Sequence, residues 1–275
     1  MKLLYMGTGA AEGIPGTFCN CRLCREAKKL GGRNIRTRSQ ALIDGKILID
    51  FPPDTYAHYL AYEFDLPSIR HIFVTHSHMD HFFPDEFMLR REGFIHPPIE
   101  LLHLYGNKTV EEAFLSCLKR IMGRGDENFS FHPLVPFVPV DLEGYKIHPL
   151  KAKHDPKEEC LIYGVECQGR ALLYANDTGF FPDTTWDYLK SAKVCFDLVS
   201  LDCTMMQFSD GNNHMGIPDA VKLRQELYAI GAASQKTVFV LNHFSHNGGW
   251  NHSELCKEAE KQGFQVSYDG MEISV

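Results

Sequence analysis

Three imidazoles and a carboxylate fall within six residues in His76-Ser77-His78-Met79-Asp80-His81, directly after the β-branched run from Ile69 to Thr75. Neutral imidazole nitrogen and carboxylate oxygen suit borderline divalent ions, and a tight turn after a strand aims alternate side chains at two neighbouring points. His76 and His78 can therefore serve one ion, and Asp80 and His81 a second. A second constellation, Cys19-Asn20-Cys21-Arg22-Leu23-Cys24, sets three thiols at C-x-C-x-x-C spacing in a loop flanked by glycine and proline. Such spacing meets three corners of a zinc tetrahedron and leaves the fourth to come from elsewhere. The other cysteines, Cys117, Cys160, Cys167, Cys195, Cys203 and Cys256, stand alone among apolar or helical neighbours and read as small buried hydrophobes.

Placing such residues requires elements that end at them. Strands are expected at Lys2 to Met6, Ala41 to Ile43 and Lys46 to Ile49, the last two joined by the hairpin signal Asp44-Gly45. Further strands are expected at Ile69 to Thr75, Tyr145 to Ala152, Leu161 to Glu166, Ala171 to Ala175, Leu198 to Leu201, Thr237 to Leu241 and Phe264 to Tyr268. Between them, Tyr56, Tyr59, Leu60 and Phe64 keep a helical spacing after Pro53 and Asp54. Thr109 with Glu112 fits a capping box for a helix running to Gly123. A short helix is expected near Thr184 to Lys190, another from Pro218 to Gly231, and a last one opened by Ser253 and Glu254 and closed by Gly263. The stretch from Gly125 to Pro139 reads as an irregular loop.

With 275 residues, 44% of them hydrophobic, one domain spanning 1–275 is expected to bury a full core. A balance of 28 Lys+Arg against 35 Asp+Glu, net −7, argues against a broad nucleic-acid footprint and for small-molecule partners. No apolar run approaches the roughly 20 residues of a membrane span. Met1-Lys2-Leu3-Leu4-Tyr5 runs into glycines without a signal-peptide core, so a cytoplasmic location with reduced thiols is expected. A monomer and a homodimer both remain open.

The His-x-His-x-Asp-His run resembles the signature of the metallo-β-lactamase superfamily. That resemblance implies an α/β (α+β) fold, the αββα sandwich, with two mixed sheets face to face and helices outside. It also implies that His76, His78 and His154 hold one metal and Asp80, His81 and His243 the other, with Asp177 bridging them. Asp50 matches the family's early strand-end aspartate, which orders the site without being a ligand. A narrower resemblance, to the phosphoribosyl cyclic phosphodiesterase (PhnP-type) branch, rests on Gly7-Thr8-Gly9-Ala10-Ala11-Glu12-Gly13-Ile14-Pro15, the cysteine knuckle, and Asn242-His243-Phe244-Ser245-His246. It implies a structural zinc on Cys19, Cys21, Cys24 and His246, with the turn from His243 to His246 tying both sites together. His214 matches the branch's extra histidine, which stabilises the transition state, so that His214, Asp80 and Asp177 are the implied catalytic residues.

The activity implied is hydrolysis of a small, cyclic phosphodiester by a hydroxide bridging two divalent ions, Mn or Zn, with Fe also compatible. The alternatives are an RNA-processing, thioester or lactone hydrolase of the same fold, or a non-catalytic protein like the pyrroloquinoline quinone biosynthesis protein B group, which shares the knuckle but has a degraded ligand set. Residues 82 to 145 carry no motif of the branch. Arg33, Arg36 and Arg38 could neutralise a phosphate, although a solvated basic edge is the better expectation, and Phe180, Phe181 and Trp186 read as core packing before pocket lining. Gly7 and Gly9 do not make a dinucleotide fingerprint, and no G-x-S-x-G nucleophile is present.

Overall fold

Asp44 and Gly45 both take positive φ, 50° and 70°, so the chain reverses tightly and Ala41 pairs with Ile49 and Ile43 with Ile47. In this computed structural model, which describes residues 1–91, 93–96, 100–122, 128–209 and 211–275 (121 and 122 by backbone alone), that hairpin lies inside the first of two sheets. The first sheet takes β1 (Lys2–Gly7), β2 (Gln40–Ile43), β3 (Ile47–Ile49), β4 (His71–Phe73), β5 (Leu102–Gly106) and β6 (Phe129–Pro133). The second takes β7 (Val140–Leu142), β8 (Tyr145–Lys151), β9 (Leu161–Cys167), β10 (Arg170–Ala175), β11 (Phe196–Asp202), β12 (Ala233–Asn242) and β13 (Gln265–Val266). The chain then returns as β14 (Met271–Ser274) to pair antiparallel with β1 at the edge of the first sheet.

Both sheets are mixed, antiparallel on one side and parallel on the other. In the first, β3, β4, β5 and β6 run parallel; in the second, β10, β11, β12 and β13 do. Alternation then decides the layers, because successive side chains leave a strand on opposite faces. Tyr5, Ile43, Phe73, Tyr163, Leu172, Tyr174 and Val240 meet between the sheets. Leu48, Ile72 and Leu104 face outward onto Phe87, Phe114 and Leu118. Leu173, Val199 and Leu201 face outward on the other side, onto Leu189, Leu223, Leu227 and Leu255. Phe87 lies on a 3-10 turn (Pro84–Arg90), and the other outward partners lie on α3 (Lys108–Met122), α4 (Asp183–Ala192), α5 (Ile217–Ala229) and α6 (His252–Lys261); α1 (Arg22–Leu30) and α2 (Thr55–Ala61) come earlier in the chain, α1 adding Ala27 to the core of the second sheet. The result is the expected αββα sandwich.

Several local expectations change. The helix after Asp54 stops at Ala61, and its Tyr56 and Leu60 are 60% and 67% exposed, so the apolar spacing there marks a surface face. Asn107, not Thr109, caps α3: its Oδ1 accepts from the Val110 amide at 2.9 Å. The expected loop from Gly125 contains β6, paired with β5 over Phe129 to Pro133; Gly123 and Gly125 lie outside the described residues. The strand at Ile69 to Thr75 contracts to His71–Phe73, and the last two expected strand residues lead into the histidine turn. Cys24 is in the first turn of α1, not in a loop. Cys117, Cys160 and Cys203 are buried as expected, whereas Cys195 is exposed.

Candidate metal centre

Every side chain of the His/Asp cluster leaves a strand end or the turn beyond it, so both sheets deliver their residues to one rim. Asp50 follows β3, His76 to His81 follow β4, His154 follows β8, Asp177 follows β10 and His243 follows β12. Asp50, Asp177 and His243 have positive φ, 66°, 51° and 64°, a conformation costly for non-glycine residues and concentrated at functional sites. The β4 turn is fixed from both sides. Asp50 Oδ1 accepts from the Thr75 amide at 2.7 Å, and Glu158 accepts from the Ser77 amide at 2.8 Å and the Ser77 hydroxyl at 2.6 Å.

Two sets of donors converge there. In one, His76 Nε2 lies 3.0 Å from His78 Nδ1 and 3.2 Å from Asp177 Oδ2, and His154 Nε2 lies 3.2 Å from His78 Nδ1. In the other, His81 Nε2 lies 3.2 Å from Asp80 Oδ2, 3.1 Å from Asp177 Oδ2 and 3.3 Å from His243 Nε2. Ions bonded to nitrogen or oxygen at about 2.0–2.2 Å hold adjacent donors roughly 3 Å apart, so both sets have the spacing of ligands around an ion. Asp177 belongs to both sets and also to a third group of converging donors that it forms with Asp202, His214 and His243. Its Oδ1 faces His214 Nδ1 at 3.1 Å, yet among the described residues neither atom completes a hydrogen bond, although both are buried. Buried polar atoms without partners are rare and costly, and a cation would satisfy the carboxylate oxygen.

The rear faces of the imidazoles are occupied by acids and hydroxyls. His81 Nδ1 is 2.7 Å from Asp50 Oδ2, His78 Nε2 is 3.2 Å from Asp155 Oδ2, and His243 Nδ1 is 2.8 Å from Thr204 Oγ1 and 3.2 Å from Asp202 Oδ2. Such partners fix which nitrogen carries the proton and free the other as a ligand. Electrostatics follows this arrangement. Burial opposes ionisation of Asp177, but His243, His214, His76 and His81 outweigh it and hold the carboxyl well below its ordinary range. Burial likewise opposes charge on His214, and Asp177 and Asp202 overcome it, raising the imidazole to about 10. His154 moves the other way, down to about 4, because burial dominates.

The thiols form a separate group. Cys19, Cys21, Cys24 and His246 offer donor atoms all within 4.8 Å of one another. Cys19 Sγ and Cys21 Sγ are each 3.7 Å from His246 Nδ1, close to the edge of roughly 3.6 Å expected for a tetrahedron with Zn–S about 2.3 Å and Zn–N about 2.0 Å. Burial pushes the Cys21 thiol up, but hydrogen bonds with Cys24, Cys19 and His246 bring it down to about 7. The sequence thus named side chains that do come together.

It missed Asp202, Asp155 and Thr204, because a single acid or hydroxyl carries no spacing signal. The one available hint was that Asp202 ends a strand, as Asp50 and Asp177 follow theirs. The arginines do not face the cluster. Arg36 is buried, donating to Thr8 Oγ1 at 2.7 Å and the Ser267 carbonyl at 2.8 Å and lying over Phe244, so it is neither a solvated edge nor a phosphate ligand. Arg38 pairs with Asp54, and Arg33 lies over Tyr268. Phe181 and Trp186 are in the core, with Phe180 packed against it.

Among known proteins, the chain resembles, over 85 residues at 34% identity, an octanoyltransferase of Porphyromonas gingivalis; the match covers 30% of this chain and 16% of that protein. Its fold resembles that of a diphosphatase of the PhnP family (TM-score 0.74, 23% identity, 99% of this chain and 96% of that one). It also resembles zinc-bound PqqB of Methylobacterium extorquens (TM-score 0.70, 16% identity, both chains covered in full). A third similar fold is that of the short form of human tRNase Z (TM-score 0.67, 18% identity, 100% and 99% covered). Clustered ligand groups on this fold support a metal-dependent hydrolase. Among the described residues no helix is long and apolar enough to cross a membrane. The model of the β-lactamase superfamily domain matches residues 46–244, a span reaching from β3 through both histidine sets to the end of β12, and the chain therefore belongs to that superfamily and has the metallo-β-lactamase fold.

Proposed function

We propose that this chain is a dinuclear metal-dependent phosphodiesterase of the PhnP type, acting on small diesters, cyclic ribose phosphates among them. The observation that carries the reading is the position of Asp177, whose two oxygens face both histidine sets and His214. His76, His78 and His154 would hold one ion, Asp80, His81 and His243 the other, and Asp177 both. Manganese, zinc and iron all suit these donors. Bound there, such ions supply Lewis-acid activation of water and neutralise charge on a phosphoryl group. Asp50 holds His81 in place, Asp155 does so for His78, and Asp202 with Thr204 for His243. His214, held against Asp177 and Asp202, is the donor for charge that develops on a phosphoryl oxygen or leaving group. Cys19, Cys21, Cys24 and His246 would hold a structural zinc.

The net charge of −7 disfavours a long polyanion and favours a small substrate reached in the cytoplasm. The test is a panel at equal metal loading. It contains bis-(p-nitrophenyl) phosphate, a five-membered cyclic ribose phosphate, the matching monoesters, a diphosphate, precursor tRNA, a β-lactam and a thioester. Diesters are expected to be turned over well, monoesters poorly and tRNA negligibly. Preference for the diphosphate would move the bond cleaved to P–O–P, as in the PhnP-family diphosphatase of similar fold. Preference for the thioester, β-lactam or tRNA would overturn the diesterase reading.

A further inference from the structure

We propose that Glu12 is a positioning residue that couples the thiol centre to the His/Asp cluster; this rests on the two-centre reading above. His246 divides its ring between two environments. Nδ1 faces Cys19 and Cys21 at 3.7 Å, and Nε2 lies 3.5 Å from Glu12 Oε1. A carboxylate on that side keeps the proton on Nε2 and leaves the Nδ1 lone pair free for an ion, as carboxylates behind metal-bound histidines do.

The same carboxylate oxygen also accepts a hydrogen bond from the Ser245 hydroxyl. Ser245 is buried, and its amide donates to the Thr204 carbonyl at 3.3 Å. The Thr204 hydroxyl in turn contacts His243 Nδ1 at 2.8 Å and donates to the His243 carbonyl at 2.9 Å. One carboxylate therefore orients a ring of the thiol centre directly and, through Ser245 and Thr204, a ring of the His/Asp cluster. The backbone of this corner is held independently. Phe244 donates to the Thr8 carbonyl and Ala10 to the Phe244 carbonyl, both at 2.9 Å, and Thr17 donates to the Glu12 carbonyl at 3.3 Å. Removing the carboxylate should thus release side chains without unthreading the loop.

The experiment uses the full metal-loaded protein and needs no substrate. Zinc transfer to a chromophoric chelator and the absorption of the cobalt-substituted thiolate centre report on the knuckle. Manganese titration reports on the His/Asp cluster, and circular dichroism reports on folding. E12A should release zinc about 10–100-fold faster and shift the cobalt bands, with a smaller loss of manganese affinity, under about 10-fold. E12Q keeps an acceptor oxygen for both partners and should recover most of each loss. S245A removes the hydroxyl that Glu12 accepts from and leaves the Glu12–His246 contact in place; because that hydroxyl also accepts from the Asn247 amide at 3.1 Å at the start of the His246 turn, it should weaken manganese binding and speed zinc release less than E12A does. E12A and E12Q both matching the wild type in zinc transfer and cobalt spectrum would overturn the positioning role. Manganese affinity unchanged in both E12A and S245A would overturn the coupling. A wild-type protein with no thiolate-bound ion would instead overturn the reading of the centre itself, before Glu12 is tested.

Discussion

If Asp177 serves two ions and His214 only the reacting group, as proposed, the two should fail differently. Asp177 lies 3.1 to 3.3 Å from His76, His81, His154 and His214, so Asp177→Asn weakens both donor sets at once. Turnover is expected to fall to background, with metal content below the wild-type level. Among the described residues His214 Nδ1 faces Asp177 at 3.1 Å and Asp202 only at 3.9 Å. His214→Ala should keep the metals and lower kcat by ~10²-fold to 10³-fold, the usual cost of one transition-state donor. Elemental analysis beside steady-state kinetics separates the two, and a His214→Ala protein depleted of metal would make that residue a ligand. The proposed ligands are legible in the sequence because each has a chemically distinctive type at a motif position. Their supports are not, since Asp155, Asp202 and Thr204 become meaningful only when the fold brings them behind His78 and His243.

What the elements contribute is a common rim, and their order could be read wherever a strand is fully buried. β10 and β11 are mostly apolar and nearly all buried, as are the middle of β8 (Ile147 to Leu150) and the last four residues of β12 (Phe239 to Asn242), so these stretches stand out as strands buried on both faces. The elements that escaped notice are half-exposed. All but one residue of β6 are only partly buried and the last is exposed, and β6 includes a histidine and a proline, so no period of two emerges. The short α1 buries only Leu23, Cys24 and Ala27, too narrow an apolar stripe to stand out beside a thiol motif. For α6 the sequence places the opening at Ser253 and Glu254, whereas the helix starts at His252 and its cap is Asn251. There Asn251 accepts from the Glu254 amide at 3.0 Å, and Glu254 accepts from the Asn251 amide at 2.9 Å. Asn251→Ala removes the first of these and should cost about 1 kcal/mol. In a chain of this size that corresponds to a fall of roughly 2–4 °C in Tm, with metal content unchanged. A scanning-calorimetry trace superimposable on the wild type would show that the cap contributes nothing.

Across the whole molecule, a buried polar chain connects the C-terminal segment to the centre. Asp269 accepts from Thr8 and Thr37, and the Thr37 hydroxyl lies 2.7 Å from His58 Nε2. His58 Nδ1 is 2.6 Å from Gln40 Oε1, and Gln40 Nε2 donates to the Asp50 carbonyl at 3.0 Å. His58 sits at the middle of this chain as a neutral ring: burial lowers its pKa from 6.5 to about 4, against a weaker opposing pull from Asp54. The unfolded chain therefore binds a proton on His58 at a higher pH than the folded one does. Stability from the neutral ring is complete above the unfolded value of 6.5 and is lost as pH falls toward about 4, amounting to about 3 kcal/mol over that window. His58→Gln cannot take up that proton, so its Tm should fall less steeply than the wild-type Tm between pH 7 and pH 4.5. The difference between the two curves isolates this group, because metal loss and the titration of His154 and His252, both also held near 4, act on both proteins alike. Parallel curves would mean that His58 does not resist protonation, and the buried chain from Asp269 to Asp50 would then have to accommodate a charge.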